Sequence, residues 1–368
     1  MGIHKRLNED LMKVAIVTQP IKGNYGGVLQ NFALQRVLRK LGHQPITIDY
    51  RDSSPLWFYL LQSVKTLMLF PFPSKRRAFT PYRNVFPRDS RIMNFVHQHI
   101  VLTKKQYLSY KKRILRDYQI EAVVVGSDQV WRPLYNPGCL FDMYLKFAGN
   151  AKVLKLAYAA SFGVDIWEYT AEQTRICSRL IRDFKAVSVR EVSAVSLCKK
   201  HLGRDVVPVL DPTLLLSREE YASVCSSVPV NGAKYVCCYM LDPTPEQKKM
   251  IEDFARDKHL QLIMFSAHEA LTYSVEEWLA MFRDATCVVT DSFHGTVFSL
   301  IFQKEFYSLL NSSRGATRFE SLLSQFALES RVVSRLDQIK EVIDWSVVES
   351  YKSKLVQSSL DFLRNGLS

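Results

Sequence analysis

The sequence lacks the cysteine and histidine spacings that hold metals or disulfides. It has seven cysteines, an odd number, with no C-x-x-C pair, and eight histidines with no H-E-x-x-H motif. Unpaired spacing and an odd count argue against the disulfide framework of a secreted protein. We therefore expect reduced cysteines in a cytoplasmic protein, no metal site and no cofactor.

Long hydrophobic runs and nucleotide-binding glycine motifs are also missing. The most apolar segment, residues 55–73, is interrupted by Gln62 and Lys65 and is too short to span a bilayer. The glycines after the first predicted strand form neither G-x-G-x-x-G nor a P-loop, because no G-K-[ST] follows them. The sequence thus predicts no membrane-spanning helix and no standard dinucleotide or P-loop site.

Positive charge is abundant and unevenly placed. The net charge is +13, and residues 75–91 hold six basic residues against one acid. Such an excess indicates an anionic partner. Because the basic run follows apolar and aromatic residues, we predict that segment 55–91 binds the inner face of the cytoplasmic membrane. The alternative is a buried helix followed by a basic loop. No nucleic-acid module is present, so we expect no nucleic-acid partner.

Short β-branched runs alternate with helical patterns along the chain, which predicts parallel sheets covered by helices. The predicted fold is two doubly wound, Rossmann-like α/β domains facing a cleft. The boundaries are 12–215 for the first domain, with an insertion at 51–95, and 216–345 for the second. A C-terminal helix at 346–368 is expected to pack back on the first domain.

In such folds ligands bind beyond the carboxyl ends of the strands. The first strand is followed by GNYGGVLQNFALQ, residues 23–35, whose glycines allow close approach of an anion or a sugar to a helix N-terminus. The alternative is a tight turn without a ligand.

A second strand end, GSDQVW at 126–131, either caps a helix or contacts sugar hydroxyls, with Trp131 as a stacking surface. We expect the cleft to be lined on the acceptor side by Asn24, Tyr25, Gln30, Ser127, Asp128 and Gln129.

The stretch VVTDSFHGTVFSLIF, residues 288–302, places polar residues between a buried strand and a buried helix. Asp291 or Ser292 can cap the helix, whose N-terminus carries positive partial charge. An imidazole at this joint can exchange protons near neutral pH. We predict that His294 and Asp291 are catalytic, although a lone histidine is more often structural.

Three arginines are candidates for binding an anion. Arg190 directly follows a predicted strand, where its guanidinium can pair with a phosphate or carboxylate. Arg314 and Arg318 follow the last strand and either converge on the same cleft or lie in a solvated loop.

An ordered set of motifs resembles the polysaccharide pyruvyl transferase family. The set comprises GNYGGVLQNFALQ, GSDQVW, SVRE, LDPTLLL, TDSFHGTVFSLIF and R-x3-R-F-E-S-L-L, spread over residues 12–335. The resemblance implies a fold like that of GT-B glycosyltransferases. It also implies transfer of pyruvate from phosphoenolpyruvate to two hydroxyls of a sugar, in a cell-surface polysaccharide or its lipid-linked precursor, as a cyclic ketal.

The resemblance also implies roles for single residues. His294 matches the family's acid/base histidine, and Arg190 matches an arginine that binds the donor. Some members have an arginine two residues before the histidine, where this chain has Ser292. We expect Ser292, Arg314 and Arg318 to complete the donor site, and no metal is required because arginines and a helix N-terminus supply the positive charge.

Two other functions fit the same features. Two facing α/β domains also suit a glycosyltransferase that uses a nucleotide-sugar donor, which would need a site for base and ribose. A glycan-assembly protein without catalysis would not depend on His294.

Overall fold

The computed structural model describes residues 11–21, 23–51, 91–107, 110–266, 272–309, 317–338 and 341–368. Arg314 and nearly all of the proposed membrane-binding segment 55–91 lie outside the described residues.

The N-terminal unit is built on a six-stranded parallel sheet with the order β2-β1-β5-β6-β7-β8. The strands of this half are β1 (Lys13–Val17), β2 (Gln44–Thr47), β3 (Tyr50–Arg51), β4 (Gln106–Tyr107), β5 (Ala122–Val125), β6 (Leu154–Ala160), β7 (Ala186–Val189) and β8 (Val207–Pro208). Strands β3 and β4 pair separately. The helices are α1 (Tyr25–Lys40), α2 (Arg91–His99), α3 (Arg113–Asp117), α4 (Ala171–Leu180) and α5 (Ser193–Leu197).

The C-terminal unit is built on a five-stranded parallel sheet with the order β10-β9-β11-β12-β13. Its strands are β9 (Tyr235–Met240), β10 (Gln261–Ser266), β11 (Cys287–Thr290), β12 (Glu305–Leu309) and β13 (Val332–Val333). The helices are α6 (Arg218–Val224), α7 (Pro245–Asp257), α8 (Val275–Asp284), α9 (Phe293–Ile301), α10 (Thr317–Ser324) and α11 (Trp345–Leu367).

Both sheets reverse their strand order at one point, between β1 and β5 in the first and between β9 and β11 in the second. The predicted class of two doubly wound α/β units is therefore confirmed. Strands β5, β9 and β11 are buried along their whole length, which explains their continuous apolar sequences. A doubly wound sheet opens a crevice at its reversal point, so each unit offers one site there.

The two units pack closely through α1 and α8. The Tyr25 ring stacks on the Trp278 ring with centroids 5.4 Å apart. The Tyr25 hydroxyl donates a hydrogen bond of 2.8 Å to the Tyr273 carbonyl oxygen. At the rim, Arg91 pairs with Glu277 at 2.9 Å. These contacts hold the carboxyl edges of the two sheets against each other.

The last helix, α11, crosses back to the N-terminal unit. The Leu210 backbone N–H donates to the Ser359 hydroxyl at 3.1 Å, and the Tyr158 and Phe362 rings lie 6.2 Å apart. Gly366 lies so close to the sheet that an added Cβ would stand 2.4 Å from Leu156 Cδ2. Within the described part of the chain, every helix is too short or too polar to span a membrane.

Candidate active site

A buried carboxylate, Asp211, lies where the carboxyl ends of the two sheets meet. Its Oδ2 accepts hydrogen bonds from Arg190 Nη1 at 3.0 Å and from the Gln30 amide. Its Oδ1 accepts from the Thr213 backbone N–H at 3.1 Å and from the Thr213 hydroxyl at 2.7 Å. Burial alone raises the pKa of Asp211, but its interactions with His294 and Arg190 and these donors outweigh burial and lower the pKa. Asp211 is therefore an anion that organises the groups around it.

Arg190 follows β7 and is almost completely buried beside that anion. Besides Asp211, its guanidinium contacts the Ser161 hydroxyl at 3.3 Å and Asp128 Oδ1 at 3.7 Å. Its central carbon stands 4.5 Å from the centroid of the Phe293 ring. Burial lowers the pKa of Arg190, but attraction to the carboxylates, Asp211 foremost, reverses this effect, so the guanidinium stays charged.

A second buried guanidinium, Arg318 of α10, approaches the same ring at 5.7 Å. Burial and repulsion by Arg190 lower its pKa to about 10, so it also stays charged at neutral pH. Arg190, Arg318 and Phe293 line a cavity of about 10 Å³, which is room for about one water molecule. Two cations held this close together attract an anion that carries several charges.

The imidazole of His294 occupies the first turn of α9, beside both arginines. Its Nε2 is buried, has no hydrogen-bond partner among the described residues and lies 3.8 Å from Asp211 Oδ2. Burial lowers the pKa of His294 to about 4, despite attraction to Asp211 and Asp128. The imidazole is therefore neutral at physiological pH and can accept a proton.

The imidazole of His294 packs directly against Gly26 in the first turn of α1. A Cβ added at Gly26 would lie 2.0 Å from His294 Nδ1. A glycine is therefore required here by close approach rather than by backbone conformation. The imidazole of one unit fills the space that a side chain would take in the other.

Gly26→Ala is expected to displace the imidazole and to reduce turnover at least about tenfold, because misplacing a reacting group is costly. Gly27→Ala is the matched control, since its Cβ would meet its nearest neighbour at an ordinary 3.7 Å. Steady-state turnover and thermal melting of both variants give the comparison. Equal turnover in the two variants would show that activity does not require the close packing of His294 against Gly26.

Two residues of the predicted catalytic stretch perform structural tasks. Asp291 accepts the backbone N–H groups of Leu241 at 2.5 Å and Asp242 at 3.2 Å, and so fixes the loop after β9. Ser292 caps α9 by accepting the Gly295 N–H at 3.3 Å. The catalytic role of Asp291 and the donor contact of Ser292 remain predictions.

The residues predicted to line the acceptor side are divided between the site and its surroundings. Gln30 and Ser127 contact Asp211, and Asp128 faces Arg190. Asn24 caps α1 by accepting the Gly26 N–H at 3.0 Å, and Tyr25 packs between the units.

The rest of the GSDQVW motif faces away from that centre. Gln129 accepts a hydrogen bond from Arg132 at 3.3 Å. Trp131 is fully buried and stacks on Tyr144 at 4.9 Å. The expectation that Trp131 offers a stacking surface to a sugar is wrong, because the core covers it.

Two central residues, Asp211 and Phe293, were not predicted as site residues from the sequence. Asp211 belongs to LDPTLLL, which reads as a junction between domains, and Phe293 reads as an ordinary apolar residue beside His294. The available signal for Asp211 was its place in a family motif. Among the described residues, no three His, Cys, Asp or Glu side chains are placed to hold a metal ion.

Comparison with known families identifies the chain. The model of the family described as polysaccharide pyruvyl transferase matches residues 24–313, which is more than half of the sequence. The chain belongs to the polysaccharide pyruvyl transferase family. The resemblance of the motifs is thereby confirmed, and His294, Arg190 and Asp211 of this family member all lie within the matched region. Comparison with curated proteins finds no match.

Several solved structures are similar over nearly the whole chain. The co-structure of MnaA from S. aureus with UDP has a TM-score of 0.46 and 12% identity, covering 96% of this chain and 91% of that one. The glycosyltransferase SnogD from Streptomyces nogalater has a TM-score of 0.44 and 11% identity, covering 97% and 100%. UDP-N-acetylglucosamine 2-epimerase from Rickettsia bellii has a TM-score of 0.42 and 10% identity, covering 96% and 98%.

Proposed function

We propose that this transferase moves pyruvate from phosphoenolpyruvate onto two hydroxyls of one sugar, forming a cyclic ketal. The acceptor is a cell-surface polysaccharide or its lipid-linked precursor. One observation carries the proposal. Two buried guanidiniums, those of Arg190 and Arg318, lie over the same Phe293 ring and beside the neutral imidazole of His294.

The donor carries a carboxylate and a phosphate, and each anion suits a guanidinium. Arginine forms bidentate hydrogen bonds with both groups and keeps its charge when buried. The N-terminus of α9 adds positive partial charge at the same place. Because Ser292 caps this helix and carries no charge, Arg318 is the residue that supplies the second positive charge of the donor site.

The reaction requires one proton to be added to the donor. A proton added to its methylene carbon makes C2 electrophilic, and a sugar hydroxyl then forms a C–O bond to C2. The bond from C2 to the phosphate oxygen breaks, and a second hydroxyl closes the ketal. Of the two protons released by the hydroxyls, one replaces the proton used and the other leaves with phosphate.

His294 is the group placed to move these protons. It is neutral in the free site because burial lowers its pKa to about 4. An anionic donor beside it raises that pKa, because nearby negative charge stabilises imidazolium. Donor binding thus favours uptake of a proton from solvent by the imidazole, and the imidazolium can then protonate the donor.

Thermal melting with phosphoenolpyruvate tests the proposal. A ligand at about 100 times its Kd stabilises the native state by about 2.7 kcal/mol, so the midpoint should rise by several degrees. Arg318→Met should weaken phosphoenolpyruvate binding about tenfold or more, because a charged hydrogen bond is lost, so the stabilisation at the same donor concentration should fall to about 1.4 kcal/mol or less. Arg364→Met, on the exposed side of α11, is the matched control.

Other outcomes separate the rival functions. A nucleoside diphosphate that raises the midpoint when phosphoenolpyruvate does not would favour the nucleotide-sugar glycosyltransferase. Donor stabilisation that is equal in Arg318→Met and the native chain would remove Arg318 from the donor site.

A further inference from the structure

Two apolar side chains are exposed on a short turn near the site. Leu134 and Tyr135 lie in the 3₁₀ turn Pro133–Tyr135, with 65% and 43% of their surface exposed. Side chains of this kind are mostly covered in a folded protein, and exposed apolar groups that cluster often mark a binding surface.

The turn that presents them is held rigidly from below. The buried Asn136 side chain donates to the carbonyl oxygens of Gln129, Val130 and Arg132 at 3.1, 3.0 and 2.9 Å. Its Oδ1 accepts from the Gln19 amide at 3.1 Å. One buried amide therefore fixes the whole turn, so the exposed pair is presented in one orientation.

The Tyr135 ring is also supported on one face. The Arg132 guanidinium stands 5.1 Å from the ring centroid, close enough for a cation–π contact. Arg132 is itself held by Glu168, with hydrogen bonds of 3.2 and 3.3 Å, and by Gln129 at 3.3 Å. The ring is thus backed by a fixed cation and exposes much of its surface to solvent.

The turn adjoins the donor site. It is separated by four residues from Asp128, whose carboxylate is 3.7 Å from Arg190, and it is tied through Asn136 to Gln19, which follows β1. The Tyr135 phenol is also close enough to Arg318 to influence its pKa. A molecule resting on Tyr135 would therefore lie beside the groups that hold the donor.

We propose that Tyr135 and Leu134 form the platform on which a sugar ring of the glycan acceptor stacks. The inference rests on the proposed function, because it places the acceptor of that reaction. A hexose presents a face of C–H bonds that packs on an aromatic ring, while its hydroxyls remain free to react. A tyrosine held in advance loses little conformational entropy on binding.

Saturation-transfer NMR tests the platform with methyl glycosides of galactose, glucose, mannose and N-acetylglucosamine, each with phosphoenolpyruvate present. Tyr135→Ala should weaken binding of the glycosides that the native chain binds by about tenfold. Tyr135→Phe should bind within about twofold of native, because stacking needs the ring and not the hydroxyl. Tyr351→Ala is the matched control, since Tyr351 is 42% exposed on α11.

Donor binding is measured separately in the same variants by thermal melting with phosphoenolpyruvate. The failure of the proposed function would appear as no donor stabilisation in the native chain. The platform is overturned if donor stabilisation is intact but Tyr135→Ala binds the glycosides as well as native. It is also overturned if the native chain binds none of the four glycosides with donor present.

Discussion

His294→Asn is expected to lower the turnover number by about a hundredfold to ten-thousandfold, the usual contribution of a positioned acid or base. Asparagine keeps a polar side chain in the space beside Gly26 but cannot carry the proton. The affinity for phosphoenolpyruvate should stay within a few-fold, because Arg190 and Arg318 remain in place. Phosphate release with an acceptor glycoside gives turnover, and thermal melting gives donor binding.

The same variant shows whether the imidazole is buried as a neutral base. The pKa of His294 falls from its ordinary 6.5 to about 4 in the native state, so the unfolded chain binds more protons between these values. The native chain should therefore lose stability relative to His294→Asn as pH falls from about 6.5 to 4, by roughly 3 kcal/mol, and above that window the difference between the two chains should no longer change with pH. Parallel stability curves would show that burial does not lower the pKa of His294, and full turnover in the variant would remove His294 from the mechanism.

Arg190→Met should both prevent donor binding and destabilise the fold by about 3–5 kcal/mol, because it leaves the buried Asp211 carboxylate without its cation. Chemical denaturation measures the loss in the free energy of unfolding, and thermal melting measures the loss of donor stabilisation.

A double variant separates these two effects. Arg190→Met with Asp211→Asn removes both charges of the pair, so much of the stability should return. Donor binding should not return, since the guanidinium is still absent. Recovery of donor binding in the double variant would show that Arg190 acts only by balancing Asp211.

The sequence is sufficient to predict the strands and the edge at which the site lies. Continuous apolar runs such as Ala122–Val125 identify strands buried on both faces, and ligand sites follow the carboxyl ends of such strands. The same logic predicts that His294 and Arg190 follow the ends of two strands, and in the structure they follow β11 and β7, while their roles stay predictions. It works because both features depend only on local pattern and chain order.

What the sequence does not predict is which side chain faces which. Asp211 comes into the site through long-range packing against Gln30 and Arg190, and its own neighbours in sequence resemble a linker. Trp131 and Tyr135 are four residues apart, yet the core covers the first and leaves the second exposed. The backbone conformation of the turn between them decides which of the two side chains is buried, and no local sequence pattern predicts that conformation.

The return of α11 to the first sheet has a consequence for synthesis. Domains generally fold as they emerge from the ribosome, starting at the N-terminus. Here the ring of Tyr158 and the side chain of Leu156 are covered by Phe362 and Gly366, which are made after the entire C-terminal unit. Part of the apolar face of the first sheet therefore stays exposed until residues 345–367 have been translated. If translation stalled before that point, the N-terminal unit would be incomplete. A chaperone could then bind its exposed apolar face.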